Sequence, residues 1–398
     1  MSKIKYFIFL ILLLFPLFVL ALEYPTSHYS NAIIYDLTDA KTLYELNSNG
    51  KVSVASLTKI LTVITAIENI NDFNAKITYT KEMQSLVRYD ASKAGLKIGD
   101  EITYMDLLYA TMLPSGADAA TALALSVKNN ISEFVSLMNE KAKNLRMTNS
   151  SFTNVVGLDD TNHYSTATDI LKVLTYALKN PIFKNIYTAK EYTLTNNLKV
   201  ASTLNIYNKN INLDISRIIG SKTGYTSKAN LCISTLIKSN NHEILIITLN
   251  TPKTNDYYLL KDILKLIDFL DTNYNNQIIY TPDNIIATLK ILNNKNLYYI
   301  KPSKNVYAYL PNEYQKKDIK AEYLGKETIH LKDFKNLQIG IINYYYQDNL
   351  IYSENVYIDI NTYRNRLLLI IILFLILITT FIAKLILIKK DDQSHLNI

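Results

Sequence analysis

Two strand-like runs late in the chain restrict its fold more than any other feature. Leu231-Cys232-Ile233-Ser234-Thr235-Leu236-Ile237 and Ile244-Leu245-Ile246-Ile247-Thr248-Leu249 are apolar and β-branched, and a turn through Ser239-Asn240-Asn241 separates them. Such runs around a short polar turn read as neighbouring antiparallel strands. Ser221 to Tyr225 precedes them as a further strand. A second hairpin lies far upstream, with Ala32 to Asp36 and Thr42 to Leu46 joined through Asp39-Ala40-Lys41. Helical patterns dominate from about 56 to 190, with loops rich in Asn, Ser and Asp. Tyr257 to Leu270 is an apolar-periodic helix able to pack back on the strands. The pattern predicts an α+β fold, an antiparallel sheet flanking a helical subdomain.

At 398 residues the chain is long enough for two ordinary domains. Composition shifts near Asn275 to short, β-branched, tyrosine-rich segments. There Leu337 to Tyr346 and Leu350 to Ile360 bracket a Gln347-Asp348-Asn349 turn, which predicts a small all-β module over 276–360. The ends read differently. Lys3 and Lys5 precede an apolar run from Tyr6 to Leu20 that closes on Val19-Leu20-Ala21, the pattern of a cleaved export signal over 1–21. Leu367 to Ala383 is nearly pure apolar, and the run resumes after Lys384 as Leu385 to Ile388. Those positions span roughly 33 Å as a helix, which predicts a transmembrane anchor within 361–388 and a cytoplasmic tail over 389–398. A single-pass protein in the cell membrane, with residues 22–360 outside the cytoplasm, is the expected topology.

Charge and cysteine usage narrow the field further. A net charge of +7, spread along the chain, fits a solvated surface, and no nucleic-acid motif accompanies it. Cys232 is the only cysteine, so no intramolecular disulfide can form. The five histidines lack metal-ligand spacing, so neither a metal nor another cofactor is expected.

Three short motifs carry chemistry. Ser56-Leu57-Thr58-Lys59 opens the helical pattern Leu57, Ile60, Leu61, Ile64, Ile67. Positions i and i+3 share a helix face, so the Lys59 amine can reach the Ser56 hydroxyl. A serine needs a neighbouring base to become a nucleophile, and burial or a second cation can make a lysine neutral enough to serve. Ser115-Gly116-Ala117-Asp118 follows Pro114, which ends the helix Tyr104 to Leu113, and puts Ser115 in a tight interhelical loop. Lys222-Thr223-Gly224 lies in the strand region. There Gly224 allows close backbone approach, and Lys222 and Thr223 offer a cation and a hydroxyl to a carboxylate. Singly each motif is common; in this order they match the S-x-x-K, S-D-N and K-T-G template of β-lactamases and penicillin-binding proteins.

The surrounding phrases narrow the match. Ala55 to Thr62, Leu113-Pro114-Ser115-Gly116, Asn149 to Asn154, Gly157-Leu158-Asp159-Asp160 with His163 to Ala167, and Lys222-Thr223-Gly224-Tyr225-Thr226 stand in order. Over roughly residues 25 to 275 the sequence resembles the D-alanyl-D-alanine carboxypeptidase family of serine peptidases, the low-molecular-weight penicillin-binding proteins. The resemblance implies a penicillin-binding-protein or β-lactamase-like catalytic domain over 22–275, acting on peptidoglycan stem peptides that end in D-Ala-D-Ala and acylated by β-lactam antibiotics. It implies Ser56 as the acylated nucleophile, Lys59 as general base and Ser115 as a proton relay. Lys222 and Thr223 would hold the substrate carboxylate beside Gly224, and the N–H groups of Ser56 and Tyr225 would form the oxyanion hole. His163 takes a loop-stabilising role in that phrase rather than a triad role with Asp159, Asp160 or Asp169. One departure stands out. Relatives usually carry Asn where this chain has Ala117, so an amide restored there is expected to alter turnover more than stability. A DD-endopeptidase or β-lactamase on the same fold, or a wall-binding protein without turnover, are the alternatives.

Overall fold

The computed structural model describes residues 24–128, 130–209, 211–254, 257–292, 297–330, 338–358 and 371–384. Asn240 and Asn241 both take positive φ, 47° and 69°, the backbone that a two-residue hairpin turn requires. That turn joins two strands longer than the sequence pattern marks, Asn230–Ser239 and His242–Thr251. The upstream hairpin forms as Asn31–Asp36 (β1) and Lys41–Leu46 (β2). With Ile218–Thr226 as β3, and the central pair as β4 and β5 in chain order, one five-stranded sheet runs β2-β1-β5-β4-β3. Every pairing in it is antiparallel.

Side chains alternate across the strands, and both faces are covered. Ile244 and Ile246 of β5 point to one side with Ile233 and Ile237 of β4, against Leu259, Ile263, Leu266 and Leu270. Those four belong to the helix Tyr258–Asn273, which packs back on the sheet as its periodicity predicts. Leu245, Ile247 and Leu249 point to the other side and join the larger core of the helical subdomain. At its centre lies α1, Thr58–Ile67, all ten residues of which are buried. A helix buried all round, its polar face of Thr58, Lys59, Thr62 and Thr65 included, lies inside a domain rather than on its surface. Tyr104–Met112 (α2) and Ala117–Val127 (α3) pack into the same core. The region read as helical also holds a small ladder, Lys76–Thr78 with Glu101–Thr103, and another, Glu191–Thr193 with Lys199–Ala201, follows just after it. Three-residue strands carry too little periodicity to be seen in sequence.

Two compact units divide the chain. One runs to Asn276 and takes in Tyr309–Glu313; the other holds Gln277–Ala308 and the residues from Tyr314 on. Up to Tyr357 the second unit is built mainly of strands. Ile319–Gly325, Gln338–Tyr346 and Asn349–Tyr357 form an antiparallel sheet, and Gln347 and Asp348 turn between the last two with positive φ. Its core of Leu289, Ile300, Val306, Ile329, Ile339, Ile342, Tyr344 and Ile358 shares no residue with the cores of the first unit.

The expected membrane topology is corrected. Among the described residues no helix is long and apolar enough to cross a membrane. The part of that run described as helix, 371–384, covers roughly 21 Å, against a hydrocarbon core of about 30 Å. An apolar run in sequence sets the composition of a span, and no spanning helix accompanies it among the described residues, so the expected single-pass cell-membrane anchor is not shown. The export signal over 1–21, the flanks of the expected anchor at 361–370 and 385–388, and the tail over 389–398 lie outside the described residues.

Candidate active site

Ser56 sits in a 3-10 turn, Ala55–Leu57, that leads into α1. Ala55 carries φ +47°, a left-handed backbone that costs an alanine about 1–2 kcal/mol. Two glycines from distant sequence close over this turn. A Cβ on Gly157 would fall 1.9 Å from the Ala55 carbonyl oxygen, and a Cβ on Gly224 would fall 2.8 Å from the Ser56 nitrogen. The glycine of Lys222-Thr223-Gly224 is therefore the residue that lets β3 lie against the Ser56 backbone.

Lys59 stands one turn along α1 from Ser56. Its Nζ donates to Ser56 Oγ at 3.1 Å and to the Val156 carbonyl at 2.8 Å. The side chain is 2% exposed, and burial lowers its pKa to about 7, with the Asp118 carboxylate pulling the other way. A lysine so held is substantially neutral at neutral pH, the condition for a general base.

Ser115 lies between α2 and α3 with φ +60°. The N-cap of α3 is Gly116, with no side-chain cap bond, so the serine hydroxyl is not used in capping. Ser115 Oγ is buried and has no hydrogen-bond partner among the described residues. Three residues on, Asp118 is buried and accepts from the N–H groups of Ala94, Gly95 and Leu96 at 2.7, 2.9 and 3.1 Å. Asp118 thus fixes the loop beside the second motif and sets a negative charge within electrostatic reach of Lys59. Ala117 is 2% exposed and its N–H donates to the Ser92 carbonyl at 2.7 Å. It occupies a covered place, so a larger side chain there would have to be accommodated.

β3 is the outer strand of the sheet. Lys222 and Gly224 alternate inward along it, while Tyr225 is 46% exposed. Burial holds the Lys222 amine well below its usual pKa, and the nearby Lys59 adds to the effect. Its Nζ donates to the Thr223 carbonyl at 2.8 Å. The Thr223 hydroxyl shares a 2.5 Å hydrogen bond with that of Thr203, a partner with no sequence signal. The Lys253 ammonium lies 4.1 Å from the centre of the Tyr225 ring. Thr226 Oγ1 donates to Asp159 at 2.7 Å, which ties the end of β3 to the loop after Gly157.

His163 is placed as a fastener. Its Nδ1 accepts from the Thr153 N–H at 3.1 Å, so its Nε2–H donates to Thr58 Oγ1 at 2.8 Å. Burial lowers its pKa to about 4, which keeps the ring neutral. Away from this site, Asp36, Asp39 and His242 come close enough together to hold an ion, and the Lys41 ammonium already donates to Asp39 at 3.2 Å. Sequence reasoning missed Asp118 and the Val156 carbonyl. For Asp118 the signal was its place beside the second motif; a backbone acceptor has none.

Comparison with known proteins follows the same lines. The family model described as D-alanyl-D-alanine carboxypeptidase matches residues 20–253. The chain is 27% identical over 317 residues to DacF, a D-alanyl-D-alanine carboxypeptidase of Bacillus subtilis (strain 168), covering 78% of this chain and 80% of the relative. It is 34% identical over 206 residues to a D-alanyl-D-alanine carboxypeptidase of Streptomyces sp. (strain K15), covering 48% of this chain and 70% of the relative. Among solved structures, penicillin-binding protein 5 of Haemophilus influenzae matches with a TM-score of 0.65 at 23% identity, over 84% of this chain and 97% of that one. At that identity the likeness speaks for the fold alone. The Streptomyces K15 DD-transpeptidase matches with a TM-score of 0.56 at 26% identity, over 62% of this chain and 98% of that one.

Proposed function

Because the chain belongs to the D-alanyl-D-alanine carboxypeptidase family of peptidases, we propose that it removes the terminal D-alanine from peptidoglycan stem peptides ending in D-Ala-D-Ala, through an ester on Ser56. The observation that carries this reading is the buried Lys59 amine 3.1 Å from Ser56 Oγ.

The stem peptide lies extended along the outer edge of β3, where strand addition supplies backbone hydrogen bonds. Its terminal carboxylate meets Lys222 and Thr223. An amine kept neutral by burial gains a countercharge there, so carboxylate binding favours the ammonium form of Lys222. That new positive charge in turn disfavours protonation of Lys59. The neutral Lys59 amine takes the Ser56 proton as Oγ attacks the penultimate D-alanine carbonyl. The N–H groups of Ser56 and Tyr225 stabilise the developing oxyanion. Collapse breaks the peptide bond, and the leaving D-alanine nitrogen takes a proton from Lys59 by way of Ser115. Water, deprotonated by Lys59, then hydrolyses the ester and frees the shortened peptide. A β-lactam opens on the same serine, but its amine stays tethered, so the ester persists.

The test is release of D-alanine from a synthetic pentapeptide ending in D-Ala-D-Ala, followed on the purified full chain. Ser56→Ala should reduce the rate by roughly a thousandfold or more, as loss of a covalent nucleophile does. Absence of release from the unaltered protein, or release undiminished in Ser56→Ala, contradicts the reading. A cross-linked muropeptide run in parallel separates carboxypeptidase from endopeptidase action.

A further inference from the structure

A general base must be aimed as well as neutral. Among the described residues, Lys59 Nζ has two hydrogen-bond neighbours, Ser56 Oγ and the Val156 carbonyl. Ser56 is the group to be activated, so the Val156 carbonyl is the one that aims the amine. A neutral amine has two N–H bonds and one lone pair. With one N–H on Val156, rotation about the last carbon–nitrogen bond is restricted and the lone pair can face the serine hydroxyl. Position 117, beside the second motif, is alanine and adds no polar side-chain atom to this task.

A carbonyl can aim an amine only if its own loop is fixed. Asn154 does the fixing. Its Oδ1 accepts three successive N–H groups, from Val156 at 3.2 Å, Gly157 at 2.8 Å and Leu158 at 3.1 Å. Its Nδ2 donates to the Leu158 carbonyl at 3.1 Å, closing the turn from the other side. The turn is fastened to α1 around Lys59. Val155 accepts from Thr62 Oγ1 at 2.8 Å, His163 reaches Thr58 at 2.8 Å, and Gly157 lies against the Ala55 carbonyl.

We propose that Asn154 is a positioning residue for the reaction: its carboxamide sets the 155–158 turn so that the Val156 carbonyl holds the Lys59 amine against Ser56. The proposal rests on the reading of Lys59 as the base of an acylation at Ser56. It concerns orientation, so it predicts a loss in the rate of bond making rather than in substrate affinity.

The experiment compares Asn154→Ala, Asn154→Ser and Asn154→Asp with the unaltered full chain. Active sites are counted by penicillin titration, so that misfolded protein does not enter the rate. Measurements at pH 9, above the titration of Lys59, keep the added charge of aspartate from disguising the result. Asn154→Ala should lower both kcat on the D-Ala-D-Ala peptide and the penicillin acylation rate by about tenfold or more, with KM within about twofold, because small misplacement of a reacting group costs rate steeply. Asn154→Asp keeps the acceptor for the three N–H groups and should recover the rate to within about threefold, with Asn154→Ser between them. A full rate per active site in Asn154→Ala, or a change confined to KM, overturns the proposal. If Asn154→Ala does not fold, the Ser and Asp variants decide: equal kcat in both, unchanged from the parent, overturns it. Lys59→Ala separates the two levels of the argument. Loss of acylation in Lys59→Ala with no loss in Asn154→Ala removes this proposal alone, whereas undiminished acylation in Lys59→Ala removes the base itself.

Discussion

As the proposed base, Lys59 can act only while its amine is unprotonated, so its titration should be visible in the rate. Burial brings that titration to about 7. Acylation by penicillin should therefore rise with pH through about 7, and fall roughly tenfold per unit below it. The groups that face the amine electrostatically are Asp118, which favours its proton, and Lys222, which shares its buried site. Asp118→Asn removes the favouring charge, so the acid limb of the acylation profile should move to lower pH. The limb's position does not depend on the folded fraction, and an unmoved limb in folded Asp118→Asn contradicts this electrostatic account. His163 titrates near 4 and should contribute no limb between pH 5 and 8. The same burial has a stability sign. Lys59 binds its proton less tightly in the folded chain than in the unfolded one, so its cost is fully present below about 7 and is relieved as pH rises toward 10.5.

Elements set these residues where short motifs cannot. α3 begins at Ala117, whose side chain is covered. An asparagine there would bury an amide and added volume, at about 1–3 kcal/mol. Ala117→Asn should therefore lower the thermal midpoint by several degrees; an unchanged midpoint would mean the pocket already has room and a partner for the amide. The hairpins were legible because strand runs and Asn or Asp turns lie next to each other in sequence. The observed turns at Asn240-Asn241 and Gln347-Asp348 have positive φ, which Asn and Asp tolerate and Gln347 takes without that preference. The order of the three motifs was legible for a similar reason, since each is local. What was not legible is long-range and uses the backbone. Gly157 and Gly224 meet the Ser56 turn from 101 and 168 positions away. The Val156 carbonyl that accepts from Lys59 would look the same in sequence with almost any residue at 156.

At the scale of the whole molecule, separate cores predict separable effects. Ile342 is fully buried in the core of the second unit, which shares no residue with the cores around Ser56. Ile342→Ala should cost that unit about 2–5 kcal/mol, seen as an earlier transition by calorimetry, while the acylation rate per active site stays within about twofold. A parallel loss of acylation would show that the units act as one. The C-terminal apolar run teaches a complementary lesson, since composition alone suggested a span that is not shown among the described residues. The central claim is the covalent chemistry of one serine, and intact-protein mass spectrometry with benzylpenicillin addresses it most directly. The full chain should gain the mass of one penicillin, located by digestion on the peptide containing Ser56, and Ser56→Ala should gain none. An adduct that persists in Ser56→Ala, or a folded parent protein that forms none, would contradict the account.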